Sequence, residues 1–305
     1  MLMELEQKKY LECKTEQSSV GVCRGGLGEL FQGISMDEKD EIVIVSSVIP
    51  KYSWAYFTPC ENGFSSLKDQ RLVAPERTKS FRALELYCQL LGVVWPSGYW
   101  HFHSDLKVAR GMASSTADIV AILRCASSYF NRILPIQHII QILAQIERSD
   151  SVFLDRLALF CSSKHKIINQ YPKMKPLYAL YMHENSQVET DGTKPLLIDF
   201  YRQNYVQYSQ LYRQAESALA SGDLKSICHV SSKSAELSQE VLPKTHFQNI
   251  FRAQKQFKAN GIITAHTGSV IGFLYCQQPD INTFESVACF YKELNSYCQY
   301  TEIGA

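Results

Sequence analysis

The chain has 305 residues, enough for one large domain or two closely associated ones around a sizeable buried core. Its 31 Lys and Arg nearly balance 30 Asp and Glu, so no global field points to nucleic acid or an anionic membrane, and a small molecule or another protein is the expected partner. No run approaches about 18–20 uncharged apolar residues, which argues against a membrane-spanning helix, and the polar start "MLMELEQKKYLECKTEQSS" has no apolar secretory stretch, so a cytoplasmic protein is expected.

Residues 1–18 read as a polar extension. From Val20, "VGVCRGGLGELFQG" is a short β-like segment followed by glycines that permit turns and close backbone approach. "EIVIVSSVI" and "YSWAYF" read as two strands, rich in β-branched and aromatic residues. "RTKSFRALELYCQLLGV" has helical spacing through Phe81, Leu84, Leu86 and Leu90, with Gly92 as its stop. "SGYWHFHSDL" is a further strand, and "ADIVAILRCASSYFN" and "IQHIIQILAQIE" are helices. A new strand, "KMKPLYALYMHE", follows a proline-containing connection and places a domain boundary near Tyr171–Pro176. Tyr201, Tyr205, Tyr208 and Tyr212 then recur at helical spacing with Ala215 and Leu219, the packing face of one helix, which ends at Gly222 and Asp223. "SAELSQEVL" is helical, and "GIITAHTGSVIGFLYC" is a strand, a small-residue turn and a strand or helix. The ten cysteines form no C-x-x-C pair and read as reduced thiols. His101 and His103 share one face of a strand, two histidines without the remaining ligands of a metal site.

The chemistry concentrates in "RGMASSTADIVA", residues 110–121. A helix amino terminus exposes unpaired N–H groups and the positive end of its dipole, which favour an anion. Gly111 and Ala113 keep side chains out of the way, while Ser114, Ser115 and Thr116 add hydroxyls. The stretch fits a phosphate cradle and fits equally a serine-capped helix. It is neither a G-x-x-x-x-G-K-[ST] loop nor a G-x-G-x-x-G fingerprint.

"KVARGMASSTAD" resembles the central phosphate-binding motif of the GHMP small-molecule kinases, P-x-x-x-G-L-G-S-S-A. "CRGGLGELFQG" is similar to their first motif and "AHTGSVIG" to their third, in the expected order. Within the superfamily the resemblance is strongest to the bacterial L-threonine kinases of cobalamin synthesis, in which "KGMASSTADIA", "IEPTDS" and "AHSGSVVG" stand where this chain has "RGMASSTADIVA", "IERSDS" and "AHTGSVIG". It spans about Val20 to Tyr275. Arg24 and Lys107 replace prolines usual in the first and second motifs.

The resemblance implies an α+β protein of the GHMP kinase fold: an N-terminal ATP-binding domain of the ribosomal protein S5 domain 2-like type at 19–172, and a ferredoxin-like C-terminal domain at 173–305. It implies ATP and Mg²⁺ and transfer of the γ-phosphoryl group to the hydroxyl of a small molecule, L-threonine giving O-phospho-L-threonine. Another alcohol such as serine, homoserine or a sugar, and an inactive nucleotide-binding relative, are the alternatives. The backbone of Arg110, Gly111, Met112, Ala113, Ser114, Ser115 and Thr116 would hold the nucleotide. Ser115, or else Ser114, would give a hydroxyl to the metal, with Glu147 as its carboxylate ligand. Asp150 would take the hydroxyl proton, bind the substrate amine or help hold the metal, unless it only caps a turn. Glu29 and Gln32, with His266, Thr267, Gly268 and Ser269 of the third motif, would face the substrate; His266 also fits a structural histidine. No nucleic acid or membrane partner is implied, and a homodimer is left open.

Overall fold

A computed structural model of the chain describes residues 18–35, 41–64, 74–184 and 194–304. The extension expected at 1–18 lies, but for Ser18, outside them. The elements run β1 (Ser19–Ile34), β2 (Ile42–Phe64), α1 (Thr78–Leu91), β3 (Gly98–Ser104), α2 (Ser114–Tyr129), α3 (Ile136–Leu143), β4 (Ala158–Cys161), β5 (Lys166–Gln170) and β6 (Leu177–His183). They continue through α4 (Lys194–Gln203), α5 (Tyr205–Ser221), α6 (Leu224–Ser238), α7 (Phe247–Ala253), β7 (Gly261–Thr264), β8 (Val270–Tyr275), α8 (Ile281–Glu293) and β9 (Gln299–Ile303).

Local chemistry accounts for most boundaries. α1 buries Phe81, Leu84 and Leu86 and closes at Gly92, whose φ of 63° lets its N–H turn back to the last carbonyls. Gly222, φ 65°, closes α5 in the same way, and the next residue, Asp223, caps α6 by accepting from the Lys225 and Ser226 N–H groups. Two expectations are corrected. "EIVIVSSVI" and "YSWAYF" are one strand, β2, because Pro50 falls past the β4 pairing at Val43 and Ile44, where a strand tolerates proline. The tyrosine stripe spans two helices, α4 and α5, and the break is at Asn204, whose amide donates to the Phe200 carbonyl 3.1 Å away. Tyr201 and Tyr208 are fully buried, edge-to-face at 4.6 Å.

The described residues form two compact units, and both β1 and β2 run from one into the other. The first draws on 18–23, 52–105 and 115–147. In it β3 pairs antiparallel with the distal part of β2, from Ser53 opposite Ser104 to Pro59 opposite Gly98. Phe57 meets Tyr129 edge-on at 4.7 Å and Phe81 meets Phe102 at 5.6 Å, joining this hairpin to α2 and α1. His101 and His103 lie exposed on β3 beside Tyr56 and Trp54.

The second unit draws on 24–51, 106–114 and the described residues from 148 onward. Its strands follow the order β5-β4-β2-β1-β7-β8-β6-β9. β1 pairs antiparallel with β7, Glu29 opposite Thr264. α7 and α8 pack on β7, β8 and β6 through Phe273, Ile250, Val287 and Tyr291, all essentially inaccessible to solvent. Cys23, Cys88, Cys125, Cys161 and Cys228 are buried and outside any disulfide, whereas Cys60 is disulfide-bonded, which departs from the expectation of reduced thiols throughout.

Phe273 stacks on Tyr291 at 5.9 Å and contacts Phe257 at 5.4 Å. Phe273→Ala is therefore expected to lower the unfolding free energy by about 3–5 kcal/mol, as urea denaturation would report; a loss below about 1 kcal/mol would contradict a close-packed cluster here.

Candidate active site

In the second unit the three glycine-containing segments meet backbone to backbone. Ala109, Gly111 and Ala113 have φ of 56°, 81° and 53°, so alternate residues occupy the left-handed region and successive N–H groups curve into a concave nest suited to an anion. Non-glycine residues rarely hold this conformation, and two doing so within five positions mark a loop fixed by its surroundings. α2 begins at the next residue, Ser114, so the nest leads into N–H groups that the helix leaves unpaired.

The first segment ties to this loop through Gly26 N donating to Met112 O (3.0 Å) and Gly28 N donating to Gly111 O (2.9 Å). The third does so through Ser269 N donating to Arg110 O (3.1 Å). There is no room for side chains at the junction. A Cβ on Gly268, φ 117°, would lie 2.5 Å from the Gly111 nitrogen, and one on Gly111 would lie 2.2 Å from the Ala265 Cβ.

This junction places Glu29, Gln32 and His266 in one buried network. The Glu29 Oε2 accepts from the His266 backbone N–H and from Nδ1, each at 2.9 Å. The other ring nitrogen of His266 faces Ser234 Oγ at 3.1 Å. That hydroxyl oxygen also accepts from Gln32 N (3.0 Å), and Gln32 Nε2 donates to Tyr201 OH (2.8 Å). Glu29 is 8% exposed and His266 1%, and the Glu29 Oε1 takes no partner among the described residues. Thr267 is half-buried, and Ser269 Oγ lies 3.2 Å from His183 Nδ1. Asp150 accepts from Ser46 Oγ (3.3 Å), which in turn accepts from Ser151 N (3.2 Å).

Positive charge gathers around the third segment. Arg110 donates to the Glu184 carbonyl (2.8 Å), and the buried Lys244 ammonium donates to the Gly268 carbonyl. Burial lowers the Lys244 pKa, while Glu184 and Glu29 work against that shift. Burial, then the charges of Lys107, Arg110 and Lys51, push His183 down to about 4.

The first unit holds the other expected residues. Glu147, its side chain 9% exposed, accepts from Ser115 Oγ at 2.7 Å on Oε2 and from Thr116 Oγ1 at 3.4 Å on Oε1. Lys79 donates to the same Oε2. Ser115 and Glu147 thus supply adjacent hard oxygen donors, and the ammonium seated on that oxygen shows that the position favours a cation. The set fits Mg²⁺, which is commonly held by one or two carboxylates together with substrate phosphates. Asp118, on α2, is bound by Ser53 and Arg77; burial raises its pKa, opposed by those partners and reinforced by the charge of Glu147.

Sequence reasoning did not find Lys79, Asp118, Tyr201, Ser234 or Lys244. Tyr201 was visible only as part of a packing stripe and Asp118 only as the last residue of "KVARGMASSTAD", while Lys79, Ser234 and Lys244 carry no local signal, because they reach their partners from helices or loops remote in sequence.

The fold has known counterparts. Residues 79–156 match the GHMP kinases N terminal domain. The Methanococcus jannaschii mevalonate kinase superposes with a TM-score of 0.71 at 11% identity, covering 94% of this chain and 98% of that one. A Lactococcus lactis galactokinase, solved with galactose, gives 0.68 at 11% identity over 100% and 98%. The chain is thus similar to the GHMP kinases, by family model in one segment and by fold over most of its length, and these are phosphotransferases that act on a hydroxyl group with ATP as donor. Over 279 residues it is 24% identical to the L-threonine kinase of Salmonella typhimurium (strain LT2), covering 87% of this chain and 85% of the relative.

Gly268→Ala is expected to weaken ATP binding at least about tenfold by calorimetric titration, since both the backbone conformation and the Gly111 contact exclude a methyl group. Gly222→Ala, whose Cβ would meet only Met174 Cβ at 3.9 Å, carries the backbone strain alone and should leave ATP affinity unchanged. Equal affinity in both variants would remove the nest from nucleotide binding.

His183 gives a pH signature. Its pKa lies below the ordinary 6.5, at about 4, so between those values the unfolded chain binds a proton that the folded chain does not. The stabilisation is complete above about 6.5 and is lost as pH falls toward 4. Denaturation curves between pH 4 and 7 should show a shallower acid loss in His183→Asn; an unchanged acid limb would contradict it.

Proposed function

We propose that this chain is an ATP-dependent kinase of a small hydroxylated amino acid, converting L-threonine to O-phospho-L-threonine for the nucleotide loop of cobalamin. The observation that carries the reading is the meeting of three glycine segments into an N–H nest beside a buried carboxylate, Glu29, that keeps one oxygen open. The similarity to L-threonine kinase over most of the chain supports the acceptor.

In this reading the loop Arg110–Ser114 receives the nucleotide phosphates on its backbone, Met112 anchoring it from the buried side and Thr116 bracing the first turn of α2 through Glu147. Ser115 and Glu147 would hold Mg²⁺, which would supply positive charge against that of a transferring phosphoryl group. Gly268 and Ser269, with Thr267, close the loop over the phosphate end. Glu29, fixed by His266, meets the substrate ammonium, and Gln32 fixes the neighbouring Tyr201. The phosphorus–oxygen bond to the ADP leaving group breaks as the bond to the threonine hydroxyl oxygen forms, and the hydroxyl proton passes to Asp150. The division into an ATP-binding part at 19–172 and a C-terminal part at 173–305, and a homodimer as the assembled state, are further parts of the proposal.

With Mg-ATP, the purified protein should release ADP on addition of L-threonine and more slowly, or not at all, with L-serine, L-homoserine, galactose or mevalonate. Preference for another alcohol would overturn the acceptor, and absence of both turnover and nucleotide binding would overturn the kinase. Ser115→Ala and Glu147→Gln should each lower turnover on the order of 100-fold while thermal stability changes little; wild-type turnover in both would dismiss the metal site.

A further inference from the structure

An amino acid presents a carboxylate as well as an ammonium, and the roles assigned so far leave the carboxylate without a cation. Several buried or half-buried cations of the second unit lie in or bond to the segments described above, Arg24, Arg110, Lys244 and Arg148 among them. Arg110 places its Nη1 on the Glu184 carbonyl and Lys244 donates to the Gly268 carbonyl, so both serve the loop of the third segment. Arg148 differs. Its Nη1 is buried and has no hydrogen-bond partner, and the Oγ of the next residue, Ser149, only 3% exposed, has none either.

Two successive buried donors without acceptors are costly for a folded chain, the charged one most of all. A water would satisfy the bond but leave the guanidinium without a counter-charge. Arg148 acts electrostatically on the network around Glu29. Tyr201, fully buried and bonded to Gln32, is raised by burial, held back by that bond and by the charge of Arg148, and raised again by the charge of Glu29. One phenol therefore stands within electrostatic reach of both a cation and an anion. Glu29 has one carboxylate oxygen open and Arg148 one guanidinium nitrogen open. Asp150 follows two residues after Arg148, its carboxylate anchored by Ser46.

We infer that Arg148 is the specificity-determining residue that takes the carboxylate of an α-amino acid acceptor, with Ser149 Oγ as a second donor and Glu29 opposing the ammonium. The inference rests on the kinase reading above and narrows its acceptor to zwitterions. A planar guanidinium suits a carboxylate, since two parallel N–H bonds can reach its two oxygens, and a lysine in its place would keep the charge but lose the fork. Sugars and other uncharged alcohols would leave the buried Arg148 Nη1 and the open Glu29 oxygen without a partner, so the site would reject them through lost pairing without any clash.

The test compares L-threonine with L-threoninamide, which lacks the carboxylate charge, by calorimetric titration and by initial rates with the full-length wild-type, Arg148→Gln and Arg148→Lys proteins. The wild type is expected to favour L-threonine about 10- to 100-fold. Arg148→Gln should bring the two ligands within about twofold, through KM and not kcat, and Arg148→Lys should fall between; ATP affinity should not change in either. If Arg148→Gln fails to fold, the partial loss of discrimination in Arg148→Lys carries the test. Full discrimination in a folded Arg148 variant, or none in the wild type, would overturn the inference. Turnover of L-threonine with discrimination intact in Arg148→Gln would reject this role alone. Arg148-dependent discrimination in binding without any turnover would reject the kinase reading and leave this one standing.

Discussion

A methyl group on Gly268 would lie 2.5 Å from the nitrogen of Gly111, and one on Gly28 would lie 2.4 Å from the carbonyl oxygen of Thr264. Contacts of this kind tolerate no side chain and little displacement, so they lock three segments far apart in sequence into one arrangement. The cost is visible in the same loop, where Ala109 and Ala113 are held at positive φ. Such strain, of order 1 kcal/mol or more at each residue, persists only where packing over-determines the conformation. Here the three backbone hydrogen bonds from Gly26, Gly28 and Ser269 do so.

The same contacts determine where the charged side chains go. Glu29 follows Gly28 and lies opposite Thr264, so the chain leaving β7 brings His266 back onto the Glu29 carboxylate through both its backbone and its ring. A buried carboxylate is expensive unless charge-assisted bonds replace its water. One oxygen of Glu29 receives two such bonds and the other none, which orients the group and leaves half of its capacity for a ligand. Ser234 extends the order outward, because its single hydroxyl joins His266 to the backbone of Gln32 and so couples α6 to β1.

What could be read from the sequence follows from how local each determinant is. Gly92 and Gly222 announce helix ends because a left-handed C-cap is a property of one residue. The glycine segments were legible because close backbone approach demands a residue type, and Ser115 and Glu147 because the motif around them is distinctive. Arg148 lies inside "IERSDS" and passed as motif text; its significance is a missing partner, which no linear pattern records. Ser234 and Lys79 were illegible for a related reason, as an ordinary serine and an ordinary lysine acquire their roles only when a helix surface meets a distant strand or loop. The split of the tyrosine stripe at Asn204 turned on one side-chain hydrogen bond competing with the backbone, an effect smaller than the periodic signal that masked it. The short strands β4, β5 and β9 gave too few residues for an alternating pattern to stand out.

Backbone and side chain thus carry different burdens. Phosphate binding through N–H groups requires a conformation and a few absent side chains, conditions met by many sequences, and the shared fold persists at 11% identity with kinases whose names refer to mevalonate or galactose. Lys107 stands in the loop before α2 and adds positive charge beside His183. Recognition of the acceptor has no such freedom. It must be written in side chains whose charges match one molecule, and in the proposed reading those are Glu29 and Arg148, whose opposite charges both act on Tyr201. In that reading, acceptor preference changes when the charge at Arg148 is replaced, provided that the glycine junction underneath is left intact.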